Sequence, residues 1–187
     1  MFGSKQNFTT LPPLTVVIGG ARSGKSRFAE GLLRKTGLPR HYIATAEAWD
    51  DEMRTRIAQH RTDRGADWIT HEAPLDLVGT LKQMPMDAGV LIDCATLWLS
   101  NHLLAEHDLN AQEGALIDAL LKMAIPVVMV TNEVGLSVVP DNVLARRFRD
   151  AQGRLNQALA AHAGLVVAVW AGLPLVLKGA LPPAVQS

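Results

Sequence analysis

Eight residues near the start of the chain, Gly19-Gly20-Ala21-Arg22-Ser23-Gly24-Lys25-Ser26, restrict its fold more than any other feature of the sequence. They fit G-x-x-x-x-G-K-[ST] in full. An apolar, β-branched run, Thr15–Ile18, precedes them. From Ser23 to Lys35 a helical pattern follows, with Phe28, Leu32 and Leu33 on one side. A strand, a glycine-rich turn and a helix in that order wrap backbone N–H groups around a phosphate. The glycines permit the tight turn and the close approach of the backbone. The helix N-terminus adds partial positive charge. In such a loop the lysine, here Lys25, reaches the β- and γ-phosphates, and the serine hydroxyl, here Ser26, ligates Mg²⁺. The octet therefore predicts a bound nucleoside triphosphate and is silent on the reaction. The competing reading is a strand-to-helix turn with a chance Lys-Ser.

The rest of the chain repeats the alternation of strand and helix. Strands are expected at His41–Thr45, Asp67–Glu72, Val90–Cys94, Val127–Val130, Leu165–Trp170 and Leu175–Leu177, the last two as a hairpin through Gly172-Leu173-Pro174. Helices are expected at Asp50–Arg61, Leu75–Met84, Thr96–Ala105, Ala111–Ala124 and Asp141–Ala163. The long helix carries Leu144, Phe148, Ala151, Leu155 and Leu159 on one stripe, with Arg146, Arg147 and Arg149 nearby. Continuous apolar strands separated by helices predict an α/β fold, a mostly parallel sheet with helices on both faces. One domain over 14–180 is expected, with an N-terminal extension (1–13) and a C-terminal tail (181–187).

Charge and cysteine usage narrow the function classes. Lys+Arg and Asp+Glu balance at 18 each, so no basic surface argues for nucleic acid. Apolar runs are of strand length, too short for a membrane span. The single cysteine, Cys94, excludes an intrachain disulfide. A cytoplasmic enzyme is expected.

Two further residues carry candidate chemistry. Asp93 ends the apolar run Gly89-Val90-Leu91-Ile92, where a P-loop protein holds Mg²⁺ with a carboxylate; the alternative is a cap for the helix near Thr96. His60 falls on the apolar side of its helix with Met53 and Ile57, beside Arg61. A neutral imidazole attacks phosphorus, and neighbouring cations stabilise phosphate charge. Composition alone leaves a packed or surface histidine as the other reading, and an acidic start and basic end also suit an ordinary capped helix.

Several segments together carry a resemblance. They are the phosphate loop, Tyr42-Ile43-Ala44-Thr45-Ala46, Asp50-Asp51-Glu52-Met53, Arg56-Ile57-Ala58-Gln59-His60-Arg61 and Trp68-Ile69-Thr70-His71-Glu72. Asp93-Cys94-Ala95-Thr96-Leu97-Trp98-Leu99-Ser100-Asn101, Val130-Thr131-Asn132-Glu133-Val134-Gly135 and Arg146-Arg147-Phe148-Arg149-Asp150 follow in order. From about Thr15 to Gly179 the chain resembles the bifunctional adenosylcobinamide kinase / adenosylcobinamide-phosphate guanylyltransferases of cobalamin biosynthesis. The resemblance implies a RecA-like P-loop NTPase domain, commonly a homotrimer. It implies phosphorylation of adenosylcobinamide by ATP or GTP, then transfer of GMP from GTP to adenosylcobinamide phosphate. It makes His60 the guanylylated histidine. Glu72 and Asp93 match carboxylates near nucleotide or metal. Thr45 lies in the family's short segment after the second strand, and Arg61, Thr62, Asp63 and Arg64 follow the histidine at the guanine-nucleotide site. Ala46 departs from the family, which usually has serine there. Two other readings remain open: a P-loop kinase without guanylyl transfer, and a nucleotide-switch or RecA-like binding module. The second lacks the Asn-Lys-x-Asp guanine motif, since Thr131-Asn132-Glu133-Val134 is not one.

Overall fold

A computed structural model describes residues 10–47, 51, 55, 62 and 65–183. The described elements are β1 (Leu14–Gly19), α1 (Lys25–Arg34), β2 (Arg40–Ala44), β3 (Trp68–Glu72), α2 (Leu77–Leu81) and β4 (Gly89–Asp93). They continue with α3 (Ala95–Leu104), α4 (Leu109–Leu121), β5 (Val127–Asn132), α5 (Val143–His162), β6 (Leu165–Trp170) and β7 (Leu173–Lys178). The expected helix Asp50–Arg61 falls largely outside the described residues.

The seven strands form one sheet in the order β3-β2-β4-β5-β1-β6-β7. All neighbours pair in parallel except β6 and β7. Because parallel strands are covered on both faces, they read as unbroken apolar runs, and β4 and β5 are buried almost throughout. Alternation then sorts side chains between two cores. Val17, Leu91, Val128, Val130 and Val167 pack against Ala29, Leu32 and Leu33 of α1. Val16, Val90, Ile92, Val127 and Met129 face the other way, toward Trp98, Leu116, Leu155 and Leu77 of α3, α4, α5 and α2.

The chain leaves β1 through α1 and returns at β2, beyond β5 and β4. It leaves β5 through α5 in the opposite direction and returns at β6. The connections thus diverge between β1 and β5, and their C-terminal ends open a crevice of the kind in which open α/β sheets bind ligands.

Three expectations shift. The hairpin turn is Ala171-Gly172, with φ of 52° and 81°, so Leu173 and Pro174 already belong to β7. Two successive positive φ values make the type I′ turn that matches strand twist. Helix α4 begins at Leu109, not Ala111, because the Asp108 carboxylate accepts from the N–H groups of Asn110 and Ala111. Leu144 leaves the apolar stripe of α5 for solvent, and buried contacts on this helix begin near Ala151. The physical reason is length: a helix of 20 residues runs about 30 Å, while a strand of 6 residues runs about 20 Å, so the first turns of α5 overhang the sheet.

Candidate functional site

The phosphate loop is built by backbone constraints at named positions. A Cβ on Gly19 would lie 2.6 Å from both Ser23 Oγ and the carbonyl oxygen of Val169, so only glycine fits there. Gly24 sits in the left-handed region at φ 92°, and a Cβ there would press 3.3 Å from Gly172 Cα. Ser23 N–H donates to Gly20 O at 3.3 Å, and Gly172 N–H donates to Ser23 O at 2.8 Å. The β6–β7 turn therefore buttresses the loop. Arg22 and Ala21 are exposed, and Arg22 also has positive φ. Lys25 Nζ folds back to donate to Gly20 O at 3.1 Å.

The loop suits a polyphosphate. No side chain caps α1, unlike α4 and α5, where Asp108 and Asn142 do the capping, and no acid lies in its first turn. The first N–H groups of α1 thus lack a side-chain cap. Ser23 Oγ is buried with no hydrogen-bond partner among the described residues. A Cβ on Gly20 would meet nothing within 4 Å, so the space over the loop is open. Beside it lies a cleft of about 420 Å³ lined by Gly20, Glu133, Val134, Leu136, Ser137 and Trp170.

Strand register brings the other candidates to the same edge. Glu72, Ala44, Asp93 and Val130 lie side by side across β3, β2, β4 and β5. Asp93 shares parity with Leu91, which packs against α1, so its carboxylate stands on the face that carries Lys25 and Ser26. Glu72 shares parity with Trp68 and stands on that face as well, exposed and farther out on the edge strand. Asp93 is not the cap of α3: the N-cap position is Cys94, with no side-chain cap bond. Ser26 and Asp93 are oxygen donors of the type Mg²⁺ selects.

Thr45 is wholly buried, and its hydroxyl is spent on the protein. It accepts from Cys94 N–H and donates to Cys94 O, both at 2.7 Å. Thr45 N–H donates to Asp93 O at 3.3 Å. This residue thus grips the backbone on both sides of the Asp93–Cys94 junction. Asn101 Nδ2 in turn donates to Thr45 O at 2.9 Å and Pro74 O at 3.0 Å. The chain that carries His60 departs after this anchored residue and rejoins the sheet at β3. His60, Arg61, Asp63 and Arg64 lie outside the described residues; Thr62 is helical and exposed.

Comparisons with known proteins accord with this geometry. The cobinamide kinase / cobinamide phosphate guanyltransferase family, CobU, matches residues 15–177. The chain belongs to this family. It is 47% identical over 168 residues to the bifunctional adenosylcobalamin biosynthesis protein CobP of Pseudomonas aeruginosa, covering 88% of this chain and 96% of that protein. It is 42% identical over 182 residues to the bifunctional adenosylcobalamin biosynthesis protein CobU of Salmonella typhimurium, covering 88% and 99%. Among solved structures, a prototypical ATPase from the type III secretion system of pathogenic bacteria superposes with a TM-score of 0.52 at 10% identity, over 87% of this chain and 53% of that one. A further solved ATPase domain superposes with a TM-score of 0.52 at 11% identity, over 96% of this chain and 87% of that one. The fold is accordingly that of the P-loop NTPases, and membership in the family makes the protein a transferase with kinase and guanylyltransferase activities.

The sequence alone points to no role for the polar cluster where β5 ends. Asn132 N–H donates to Thr96 Oγ1 at 2.8 Å, and Asn132 O accepts from Asn156 Nδ2 at 3.1 Å. Thr131 Oγ1 donates to Asn156 Oδ1 at 2.7 Å, and Gln152 Nε2 donates to both Thr131 Oγ1 and Asn156 Oδ1. The available signal was Thr131-Asn132-Glu133 closing an otherwise apolar strand. Two histidine pairs were equally hidden. His41 Nδ1 and His71 Nε2 lie 2.9 Å apart with stacked rings. Both share the face opposite α1, away from Asp93. Burial, then His71, lowers the His41 pKa, opposed by Asp87. His102 Nε2 lies 3.2 Å from Leu75 O, an obligate acceptor, so Nε2 carries the proton and Nδ1 accepts from His107 Nδ1 at 2.8 Å. Burial chiefly lowers the His102 pKa, with His107 adding to it and the Leu75 hydrogen bond opposing. No described helix is long and apolar enough to cross a membrane.

Proposed function

We propose that the protein phosphorylates the aminopropanol hydroxyl of adenosylcobinamide with ATP or GTP on Gly19–Ser26, and then carries GMP from GTP to adenosylcobinamide phosphate on His60. The products of the second reaction are adenosylcobinamide-GDP and pyrophosphate. The observation that carries this reading is the union, in a chain of this family, of an uncapped α1 N-terminus with Asp93 on the same edge and face of the sheet.

In the kinase step the corrinoid hydroxyl oxygen bonds to the γ-phosphorus while the bond to the β-bridging oxygen breaks. The nucleoside diphosphate leaves with the electron pair, and the hydroxyl proton passes to solvent. Lys25 and the α1 N–H groups counter the charge on the phosphate oxygens. Ser26 and Asp93 would hold Mg²⁺, which supplies further charge neutralisation when bound. Guanylyl transfer breaks a different bond, between the α-phosphorus and the α–β bridging oxygen, so it calls for a different nucleophile. A neutral His60 nitrogen bonds to the α-phosphorus and pyrophosphate departs; a phosphate oxygen of the phosphorylated corrinoid then displaces the imidazole. Arg61, Thr62, Asp63 and Arg64, beside His60 in the chain, are proposed to meet the guanine nucleotide, with Glu72 at the same edge. Thr45 is proposed to serve by fixing the backbone after Asp93.

A cytoplasmic homotrimer is part of the proposal. Exposed Trp170, Leu173, Leu175 and Leu177 on and before the edge strand β7 support self-association, since exposed apolar clusters mark contact surfaces.

The test compares wild type with His60→Ala. GTP labelled at the α-phosphate reports covalent attachment, and triphosphate labelled at the γ-phosphate reports the kinase step. The expected result is loss of acid-labile protein-bound GMP with kinase activity retained. Acid-labile GMP on the variant would assign the nucleophile elsewhere.

A further inference from the structure

Register, parity and hydrogen bonding single out one residue beside the phosphate loop to which no role has been assigned. Asn132 ends β5, directly opposite Gly19 in the parallel β1–β5 ladder. It shares parity with Val128 and Val130, both packed against α1, so its side chain stands on the face of Lys25, Ser26 and Asp93. Strand β5 lies between the strand of the phosphate loop and the strand of Asp93. Asn132 therefore occupies the crevice between the two groups proposed to hold the polyphosphate and its metal.

The backbone of Asn132 is held from both sides. Its N–H is bound to Thr96 of α3 and its carbonyl to Asn156 of α5. The next residue, Glu133, donates its N–H to Gly19 O at 3.2 Å. The side-chain amide is held by much less. Among the described residues its one hydrogen-bond partner is Cys94 Sγ, at 3.9 Å from Nδ2. Thiol sulfur is a weak acceptor. An amide carries two N–H donors and an acceptor oxygen. A half-buried amide with so little of that capacity used, on a rigid backbone at the mouth of the loop, is preorganised for a ligand.

We propose that Asn132 is a further catalytic residue of the kinase reaction, its side-chain amide donating a hydrogen bond to the γ-phosphate of the bound triphosphate. This inference rests on the phosphate-loop reading above. The charge on the γ-phosphate oxygens shifts as the phosphoryl group moves from the β-bridging oxygen to the attacking hydroxyl. A fixed, neutral donor stabilises that charge without adding a titrating group. It also distinguishes triphosphate from diphosphate, which lacks its acceptor.

The experiment measures equilibrium binding of a non-hydrolysable ATP analogue and of ADP, each with Mg²⁺, to the full-length wild type, Asn132→Ala, Asn132→Ser and Lys25→Ala. Kinase turnover is followed on the same samples, and unfolding curves identify any variant that has lost the fold. Asn132→Ala is expected to weaken the triphosphate analogue about tenfold or more while leaving ADP within about threefold, since a hydrogen bond to a charged group is at stake. Kinase kcat should drop about 100-fold, the effect of removing one donor to developing charge. If Asn132→Ala fails to fold, Asn132→Ser, which keeps a small polar group, gives the same comparison. Equal weakening of both nucleotides, or of neither, overturns the inference. If Lys25→Ala loses triphosphate binding while Asn132→Ala and Asn132→Ser keep the wild-type ratio, the inference alone fails. If Lys25→Ala binds triphosphate normally, the phosphate-loop reading fails and the inference falls with it.

Discussion

Thr45→Val tests how the site edge is held together. Valine keeps the branching of threonine but sets a methyl group where the hydroxyl was, so the chief change is the loss of its hydrogen bonds. That hydroxyl makes two hydrogen bonds of 2.7 Å to the buried residue Cys94, one to its N–H and one to its carbonyl. The two losses differ in weight. Cys94 O still accepts from Trp98 N–H at 3.2 Å, so it costs about 1 kcal/mol, the net value of an ordinary hydrogen bond. Cys94 N–H would be left buried without its acceptor, which costs about 1–3 kcal/mol. The sum is about 2–4 kcal/mol. For a chain of this size that lowers Tm by roughly 4–16 °C. Thr45→Ser keeps the hydroxyl and loses one methyl group, so it should cost only about 1 kcal/mol. Urea unfolding at one fixed protein concentration measures all three proteins and excludes differences in self-association. Asp93 immediately precedes the loosened peptide, so the valine variant should also need more Mg²⁺ for half-maximal turnover. A valine variant within about 0.5 kcal/mol of wild type, with an unchanged Mg²⁺ titration, would refute the reasoning.

Two other outcomes follow from the same structure. Asp93→Asn should fold normally and need at least about tenfold more Mg²⁺ in a kinase titration, because the amide keeps the shape and loses the charge; an unchanged titration would leave Asp93 without a metal role. Stability should fall as pH drops through 6.5, the ordinary histidine value. Burial lowers the His41 and His102 pKa values, so the unfolded chain takes up protons that the folded one refuses. The loss should begin near that value and level off below the depressed folded pKa values. Urea midpoints at about pH 7.5, 6.5 and 5.5 test this, and replacing both residues with Asn should flatten the slope.

Features set by local chain geometry were legible in the sequence. The phosphate loop is eight consecutive residues between a strand and a helix, and its glycines answer constraints within a few bonds. The apolar runs betrayed a parallel sheet because strands buried on both faces cannot alternate with polar residues. Asp93 was legible as a carboxylate at a strand end, and alternation alone implies that it shares a face with Leu91. Which neighbour it faces was not legible, since that depends on strand order. The hairpin turn was misplaced because Ala171 adopts a positive φ that its residue type does not advertise, while Pro174 looked like the turn residue. Leu144 kept helical spacing but lost its partner because α5 outruns the sheet.

The sequence by itself thus determined that the chain makes an α/β domain with a phosphate loop and belongs to one enzyme family. Those properties reside in short contiguous patterns and in the succession of motifs. Only the tertiary structure decided that β5 lies between β1 and β4, and so set Asn132 opposite Gly19 and beside the Asp93 strand. Only there did the Thr45 hydroxyl, 49 residues from Cys94, become a clamp on the backbone after Asp93. A buried hydroxyl or amide takes the nearest partner that the fold supplies, and in a parallel sheet that partner is fixed by strand order, which no local pattern encodes.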